Sequence, residues 1–271
     1  MKLNKGKVML KRKRDGCLPL PEHNQNSEVV SKNDNADMDD DKKIRGETHI
    51  ASNETPSQAT KVSSRAIFIL ENASLKKGFV RKKSKLLNSE EDADFLLKQG
   101  KKLNDYRPDI VYEALKGILD SPLNKLGMVG AIYVRTDSGV LFEIKPHVRI
   151  PRTFKRFCGI ILELLEKSCI RDKDTGDVLL RVLKEPVTRH LPEKARVIGL
   201  SYNSPKLVDL DSYVSVAADD ASLVFVVGAM VHGEVGKDNC EDYISVSNYP
   251  LSAKCCIGLI CESLEQKWKL F

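Results

Sequence analysis

The strongest fold signal in the 271-residue chain is Leu223-Val224-Phe225-Val226-Val227-Gly228-Ala229-Met230-Val231-His232-Gly233. Its first five residues are leucine, valine and phenylalanine, a composition typical of a buried strand. Glycine is needed where backbone adopts positive φ or approaches a ligand closely, and ligands of α/β sheets bind beyond the carboxyl ends of strands. Spacing alone leaves two interpretations open for Gly228 and Gly233: an ordinary strand-to-loop junction and a cofactor loop.

Two nucleotide-binding motifs are excluded at this loop. Glu234 follows Gly233 where a Walker A loop needs lysine, and the segment lacks the G-x-G-x-x-G pattern. A Rossmann-type enzyme that binds NAD or ATP is therefore disfavoured. We interpret His232 as a structural or surface histidine rather than a catalytic base.

Strand-like and helix-like segments alternate on both sides of this stretch. This alternation predicts an α/β fold with a mostly parallel sheet and an antiparallel hairpin inserted before the second helix. The intervening residues 75–107 are interpreted as a loop with a weak helix. The predicted strands are 65–70, 129–135, 140–144, 178–184, 196–202, 223–228 and 243–246, and the predicted helices are 110–119, 152–167 and 251–268.

Composition divides the chain into two parts. Every aromatic residue lies at or after Phe68, so residues 1–62 lack the apolar content needed to offset the entropy of ordering. We predict a disordered charged tail at 1–62 and one domain at 63–271. Within the tail, the cluster 11–14 (Lys-Arg-Lys-Arg) is either a solvated polyampholyte segment or a nuclear-import signal or RNA-binding arm.

Several classes of protein are disfavoured by the remaining composition. No apolar run approaches the roughly 18 residues of a membrane span, and the first residues are too basic and polar for a secretory signal peptide. The seven cysteines have no C-x-x-C pattern and no zinc-ligand spacing, so we expect neither a metal site nor a disulfide framework. Cysteines 158, 255 and 261 are interpreted as small buried hydrophobes in helices.

A basic cluster surrounds the start of the helix predicted at 152–167. Arg149, Arg152, Lys155 and Arg156 occur with no acidic residue between 144 and 162. Mutual repulsion of these cations favours phosphate contact over a merely solvated charged face, and residues 152, 155 and 156 are predicted to share a helical face. In Arg107-Pro108-Asp109, local pairing and helix capping explain both charged residues without any function.

The segment Ser247-Asn248-Tyr249-Pro250 lies between a strand and a helix. Such a turn exposes backbone N–H and C=O groups near a helix start, where few intrahelical partners exist. Two interpretations remain: a main-chain ligand site, and an ordinary helix cap with proline near the first turn.

These segments together resemble the ribosome-biogenesis pseudouridine N1-methyltransferases of the SPOUT class. The resemblance covers about residues 65–271 and preserves the order of the family's motifs. The motifs are Ile69-Leu70-Glu71-Asn72-Ala73-Ser74-Leu75, Arg107-Pro108-Asp109-Ile110, Asp120-Ser121-Pro122-Leu123-Asn124, Arg149-Ile150-Pro151-Arg152-Thr153-Phe154, Val226-Val227-Gly228-Ala229 and Ser247-Asn248-Tyr249-Pro250-Leu251-Ser252-Ala253.

For the fold, the resemblance implies a C-terminal trefoil knot and a homodimer. It also implies S-adenosyl-L-methionine bound against three loops in the knot. The matching cofactor-binding positions are Leu200, Ser201, Gly228, Gly233, Val246, Ser247, Asn248, Tyr249, Pro250 and Leu251.

For the substrate, the resemblance implies a pseudouridine in a hairpin loop of small-subunit rRNA, methylated by attack of its N1 on the sulfonium methyl group. No residue is identified as the general base. It further implies a role in small-subunit assembly, ribosome assembly factors or ribosomal proteins as partners, and residence in the nucleus and nucleolus. A non-catalytic rRNA-binding assembly factor remains the alternative. The matching RNA-binding positions are Arg107, Asp109, Arg149, Arg152 and Arg156, with Asp109 holding Arg107 in place.

Overall fold

An eight-stranded sheet organises the part of the chain that the computed structural model describes, residues 65–184, 186–218 and 221–271. The tail predicted at 1–62, with its basic cluster, lies outside the described residues. The strands are β1 (Ala66–Ala73), β2 (Lys77–Val80), β3 (Lys83–Leu86), β4 (Val129–Thr136), β5 (Leu141–Ile144), β6 (Cys169–Arg171), β7 (Val178–Leu183), β8 (Ala195–Leu200), β9 (Ser222–Gly228) and β10 (Asp242–Ile244). The helices are α1 (Ala93–Lys98), α2 (Pro108–Leu119), α3 (Pro122–Lys125), α4 (Phe154–Lys167), α5 (Leu210–Ser215) and α6 (Ala253–Lys267), with 3₁₀ turns at Leu103–Asp105 and Val187–His190.

The order of strands in the large sheet is β10-β8-β9-β1-β4-β5-β7-β6. All pairs from β10 to β4 are parallel, whereas β4-β5, β5-β7 and β7-β6 are antiparallel. The predicted α/β fold with a mostly parallel sheet and an inserted antiparallel hairpin is therefore confirmed. The antiparallel part also includes β7 and β6. The trefoil knot stays a prediction.

The hydrophobic stretch 223–227 forms the middle of β9, and all five of its residues are buried. This strand pairs with β8 on one side and β1 on the other. Because side chains alternate between the two faces of a strand, Phe225 joins Phe68 in the core beneath the helices. Val224 and Val226 join a second core on the opposite face.

Three amphipathic helices pack on the first of these cores. Helix α2 buries an apolar stripe at helical spacing, and α6 packs against it. Helix α4 contributes Phe157, Ile161 and Leu164 to the same core. It begins at Phe154, with Thr153 as an extended N-cap, so the predicted start at residue 152 was two residues early.

Several short elements were missed by the sequence analysis. Residues 77–86 form the antiparallel hairpin β2–β3 instead of a loop, and its turn residues Arg81 and Lys82 both have positive φ (50° and 65°) without the glycine or asparagine that marks such turns. Helix α5 begins at Leu210 after Asp209, whose side chain accepts a hydrogen bond from the Ser212 N–H. Strand β6 contains only three residues.

Thiols differ in burial along the helices. Burial raises the pKa of Cys158 to about 11 and that of Cys261 to about 12, so both remain protonated near neutral pH. Cys255 is exposed, so the prediction that it is buried was wrong. All six cysteines in the described residues are free.

Among the described residues, no helix is both long and apolar enough to cross a membrane.

Candidate cofactor pocket and basic surface

A cavity of about 280 Å³ lies where the parallel strands β8, β9 and β10 end. The carboxyl edge of a parallel sheet is the usual ligand-binding edge of α/β proteins. Three loops line the cavity, and they contain nine of the ten positions predicted to contact the cofactor. Those nine are Leu200, Ser201, Gly228, Gly233, Val246, Ser247, Tyr249, Pro250 and Leu251. The tenth, Asn248, lines an adjacent, more open cavity instead.

The first loop leaves β8 after Leu200 and is tied to β10. The Ser201 N–H donates to the Ile244 carbonyl at 2.9 Å, and Ser204 Oγ donates to the Tyr243 carbonyl at 2.7 Å. Since Leu200 and Ile244 are also partners in the β8–β10 register, these bonds continue the pairing beyond the strands. These hydrogen bonds therefore fix the distance between the first loop and the third, which follows β10.

The second loop leaves β9 after Gly228 and carries the unpaired backbone groups of the site. The Ala229 N–H donates to the Glu71 carbonyl at 2.7 Å and fixes the start of the loop. From Met230 to Val235, the backbone N–H groups donate no hydrogen bond to another described residue. These donors are therefore free to bind acceptors of a ligand or solvent water.

Glycine at 233 has two structural reasons. Its φ is +128°, a value that side-chain-bearing residues rarely adopt, and a Cβ there would lie 3.0 Å from Met230 Sδ. A Cβ on Gly228 would likewise lie 3.0 Å from Met230 Cε. Both glycines thus leave room for the Met230 side chain, which lines the cavity.

The third loop is stabilised by its own serines. Ser245 Oγ donates to the Ser247 carbonyl at 2.8 Å, and the Tyr249 N–H donates to Ser247 Oγ at 3.0 Å. Ser252 then caps α6 by accepting a hydrogen bond from the Cys255 N–H at 3.2 Å. The cap of α6 is thus Ser252 and not a residue of 247–250, and Pro250 lies two residues before it, outside the first helical turn. Residues 246–251 line the cavity or its neighbour.

The cavity lining combines apolar side chains such as Leu200 and Val246 with polar ones such as Asn203 and Ser247. Among the described residues of the lining, Glu234 carries the one formal charge when histidine is counted as neutral, and its Oε1 accepts a hydrogen bond from Asn203 Nδ2 at 2.5 Å. Burial raises the pKa of Cys256 to about 11, which keeps that lining thiol neutral. Sequence analysis missed Asn203 and Glu234, because nothing in their spacing distinguishes them from ordinary loop residues. Met230 lies within the predicted loop between Gly228 and Gly233 but was not singled out.

A second candidate site comprises the arginines predicted to bind RNA, and it is called the arginine surface below. Its residues are Arg107, Arg149, Arg152 and Arg156. The Arg107 guanidinium binds both carboxylate oxygens of Asp109, with Nε–Oδ1 at 2.8 Å and Nη2–Oδ2 at 2.6 Å. The hydrogen bond to Asp109 raises the pKa of Arg107 further above its usual range. The structure therefore has the predicted pair, and each side chain keeps about a third of its surface exposed.

The segment before α4 is held against α2 by a tyrosine. Tyr112 Oη lies 3.0 Å from the carbonyls of both Pro151 and Arg152, and its ring packs against Phe154 and Phe157 with centroids 5.6 and 5.1 Å away. Tyr112 belongs to the same helix that begins after Arg107. Tyr112 thereby links the segment that contains Arg152 to the helix that follows Arg107.

Arg149, Arg152 and Arg156 are exposed and form no ion pair with any other described residue. Because α4 begins at Phe154, Arg149 and Arg152 precede the helix. The prediction that residue 152 shares a helical face with 155 and 156 was therefore wrong. The cations still lie within eight residues of one another, exposed to solvent, which suits contact with phosphates.

Comparison with known proteins identifies the family. The family model described as EMG1/NEP1 methyltransferase matches residues 68–265, nearly all of the described chain. The chain belongs to the EMG1/NEP1 methyltransferase family. Human "Ribosomal RNA small subunit methyltransferase NEP1" is 40% identical over 204 residues, which cover 75% of this chain and 82% of the human protein. The Drosophila melanogaster protein of the same name is 36% identical over 245 residues, covering 89% and 93%.

A solved structure has the same fold. The crystal structure of Archaeoglobus fulgidus Nep1 bound to S-adenosylhomocysteine matches with a TM-score of 0.56 at 19% sequence identity. The match covers 77% of this chain and all of the archaeal chain. The resemblance stated from sequence motifs is thus confirmed at the level of family and fold.

Proposed function

We propose that this protein catalyses the S-adenosyl-L-methionine-dependent N1-methylation of a pseudouridine in small-subunit rRNA. The observation that carries the proposal is the cavity at the carboxyl ends of β8, β9 and β10, lined by the three loops that the family resemblance predicts to contact the cofactor. Membership of a methyltransferase family supports the reaction type. Relatives named for small-subunit rRNA support the substrate class.

The chemical groups that line the cavity suit those of S-adenosyl-L-methionine. When bound, S-adenosyl-L-methionine supplies an electrophilic methyl group. The free N–H groups of residues 230–235 suit its polar acceptors, and apolar side chains such as Leu200 and Val246 suit its adenosine. Glu234, the charged residue of the lining, suits a ligand that carries positive charge. The archaeal relative was crystallised with the demethylated form of this cofactor.

RNA binding is assigned to the arginine surface. Arg149, Arg152 and Arg156 offer exposed guanidinium forks, which bind phosphates in two-point contacts. Asp109 orients Arg107, so that its guanidinium is presented with little loss of side-chain entropy. A target base in a hairpin loop is unpaired and can be turned into a pocket at modest energetic cost.

The wider biological context follows from the same assignment. We place residues 63–271 in a single methyltransferase domain with a C-terminal trefoil knot, acting as a homodimer. Its proposed role is in assembly of the small ribosomal subunit in the nucleus and nucleolus, together with assembly factors or ribosomal proteins. Light scattering of the purified chain tests the dimer, since a monomer mass at micromolar concentration contradicts it.

Mass spectrometry of a model RNA tests the activity directly. A small-subunit rRNA hairpin that contains pseudouridine in its loop is incubated with protein and cofactor, beside the same hairpin with uridine. We expect a gain of one methyl group on the pseudouridine RNA alone, located on N1 by fragmentation. Tight binding of both RNAs without methyl transfer to either contradicts the enzymatic assignment and favours a non-catalytic assembly factor.

A further inference from the structure

The hairpin β2–β3 lies outside the large sheet and is strongly basic. Residues 76–85 contain six lysines and arginines, and no acidic residue occurs between 75 and 89. None of these cations belongs to the arginine surface described above. The hairpin is therefore a separate concentration of positive charge.

Most of these cations have no acidic partner. Lys76 pairs with Asp137 at 2.8 Å, and Lys85 pairs with Glu91 and Asp92. The four others are exposed and form no ion pair or side-chain hydrogen bond within the part of the chain that the structure describes. They are Lys77, Arg81, Lys82 and Lys83.

Among the described residues, the acidic residues of α4 form no ion pair with these four cations. Glu166 accepts a hydrogen bond from Ser84 Oγ at 2.9 Å, and Glu163 pairs with Lys167 at 2.7 Å. The charge of the hairpin is thus only partly balanced by its surroundings. Repulsion among its cations is relieved when an anion binds.

The hairpin turn has charged residues at positions where asparagine or glycine is usual. Arg81 and Lys82 have φ of 50° and 65°, the left-handed conformation for which hairpin turns use asparagine and glycine. Two cationic side chains at such positions violate the usual turn chemistry, and such violations concentrate at functional positions.

An exposed aromatic ring accompanies the cations. Phe79 is 74% exposed although it lies in a strand. Lys77 is two residues away and therefore points to the same face. The opposite face carries Val80, which packs against the small core of Leu87, Leu96 and Tyr106. An aromatic ring flanked by cations is the combination that binds single-stranded nucleic acid, because bases stack on the ring and phosphates meet the charges.

The hairpin shares a helix with the arginine surface. Strand β3 packs on α4, with Ser84 bonded to Glu166 and Leu86 in the same core as Phe157. Arg156 lies ten residues before Glu166 on this helix, a separation of about 15 Å along its axis. A strand of RNA that leaves the arginine surface along α4 therefore meets the hairpin.

We propose that the β2–β3 hairpin is a second RNA-binding surface, which holds the single strand flanking the target stem-loop through phosphate contacts and one stacked base. Its identity as an rRNA surface rests on the proposed function. The four cations supply sequence-independent affinity, and Phe79 accepts any base. An acidic protein segment satisfies the charges but gives no use to an exposed aromatic ring beside them.

The test uses the full chain and a variant that removes charge without harming the turn. Arg81→Asn/Lys82→Gly/Lys83→Gln installs an Asn-Gly turn, which suits the observed backbone. Lys173→Gln/Lys184→Gln/Arg189→Gln removes the same charge from exposed positions elsewhere. Fluorescence anisotropy measures the affinity of each protein for the target hairpin RNA alone and for the same RNA with a single-stranded extension, over a range of salt concentrations.

For the extended RNA, we expect the hairpin variant to lose about tenfold or more in affinity and about 2 from the slope of log affinity against log salt. Its affinity for the minimal RNA should match that of the unmodified chain. Phe79→Ala should weaken binding of the extended RNA by about fivefold or more, with an unchanged salt slope. Unchanged affinity for the extended RNA overturns the proposal, as does an equal loss with the control variant or with both RNAs.

A separate readout distinguishes this proposal from the proposed function. Methylation of the minimal RNA should be the same in the hairpin variant and in the unmodified chain. If neither protein transfers a methyl group while the variant loses affinity for the extended RNA, the activity is wrong and the RNA surface stands. If both methylate and both bind the extended RNA equally, the activity stands and the hairpin surface is wrong.

Discussion

The cofactor pocket and the arginine surface are built in opposite ways. The pocket depends on backbone: its loops are fixed by bonds such as Ser201 N–H to Ile244 carbonyl, and its free donors are main-chain N–H groups. The arginine surface depends on exposed side chains such as Arg152, while the backbone beneath it is held by Tyr112. Small changes in loop conformation should therefore disrupt the pocket, whereas changes in charge should disrupt the surface.

Removing charge from the surface should have the largest effect. Arg152→Gln/Arg156→Gln should lower the affinity for the rRNA hairpin by about tenfold to a hundredfold and reduce its salt slope by about 2, because two phosphate contacts are lost. Anisotropy at several salt concentrations measures both quantities. Both side chains are exposed, so folding should be unaffected.

The control for this pair is Lys184→Gln/Arg189→Gln, which removes the same charge from other exposed positions. Affinity for S-adenosylhomocysteine should stay within about twofold in both variants, because no arginine of the described ranges lines the pocket. A loss of cofactor affinity in the arginine pair would contradict the separation of the two sites.

Changing the backbone of the pocket should have the converse effect. Gly233→Ala places a Cβ about 3.0 Å from Met230 Sδ and puts alanine at a φ of +128°, so the backbone is strained and the Met230 side chain that lines the cavity must move. We expect affinity for S-adenosylhomocysteine to fall by about tenfold, equivalent to about 1.4 kcal/mol. Affinity for the rRNA hairpin should change by less than about twofold. Calorimetry measures the affinity for S-adenosylhomocysteine, and fluorescence anisotropy measures the affinity for the rRNA hairpin.

Gly139→Ala is the matched control for this variant. Gly139 also has positive φ, +86°, but a Cβ there meets nothing within 4 Å. The alanine at 139 strains a remote turn without touching the pocket. Equal losses of cofactor affinity in the two variants would show that general destabilisation, not the pocket, causes the effect.

The smallest effect is expected beneath the arginine surface. Tyr112→Phe removes the hydroxyl that lies 3.0 Å from the carbonyls of Pro151 and Arg152 and keeps the ring packing. The free energy of unfolding should fall by about 1 kcal/mol, as for the loss of one hydrogen bond. Affinity for RNA should fall by only about twofold, because the arginine side chains remain.

Urea unfolding measures this loss, with Tyr106→Phe as its control. Tyr106 is also buried, but its hydroxyl makes no hydrogen bond to another described residue. An equal stability loss in both variants would argue that ring packing or desolvation, not the Tyr112 hydroxyl, holds the segment.

Strong periodic signals made much of the fold predictable. The stretch 223–227 is hydrophobic throughout because β9 is buried on both faces, and the apolar spacing of 110–119 matches the face that α2 buries. The β2–β3 hairpin was not predictable by the same logic. Its exposed face combines Lys77 with Phe79, and its turn uses Arg81 and Lys82, so neither alternation nor turn composition marks it.

The candidate site could be predicted from the family motifs but not from the composition and spacing of its residues. Spacing left Gly228 and Gly233 open between a junction and a cofactor loop, and only the family motifs favoured the second. The placement of Asn248 in a neighbouring cavity depends on the direction of one turn, which sequence does not specify. The start of α4 was misplaced because both Pro151 and Thr153 suit a helix start, and Thr153 is the residue used.

Calorimetric titration of the full chain with S-adenosylhomocysteine, at about 0.05 M and about 0.5 M potassium chloride, tests the central claim most directly. A pocket lined by backbone donors and apolar side chains should bind one ligand per chain, with an affinity that changes by less than about twofold between the two salt concentrations. The affinity for RNA, measured beside it, should fall steeply. Absence of binding heat across titrations at several temperatures, or a cofactor affinity that falls with salt as steeply as the RNA affinity, would contradict the account.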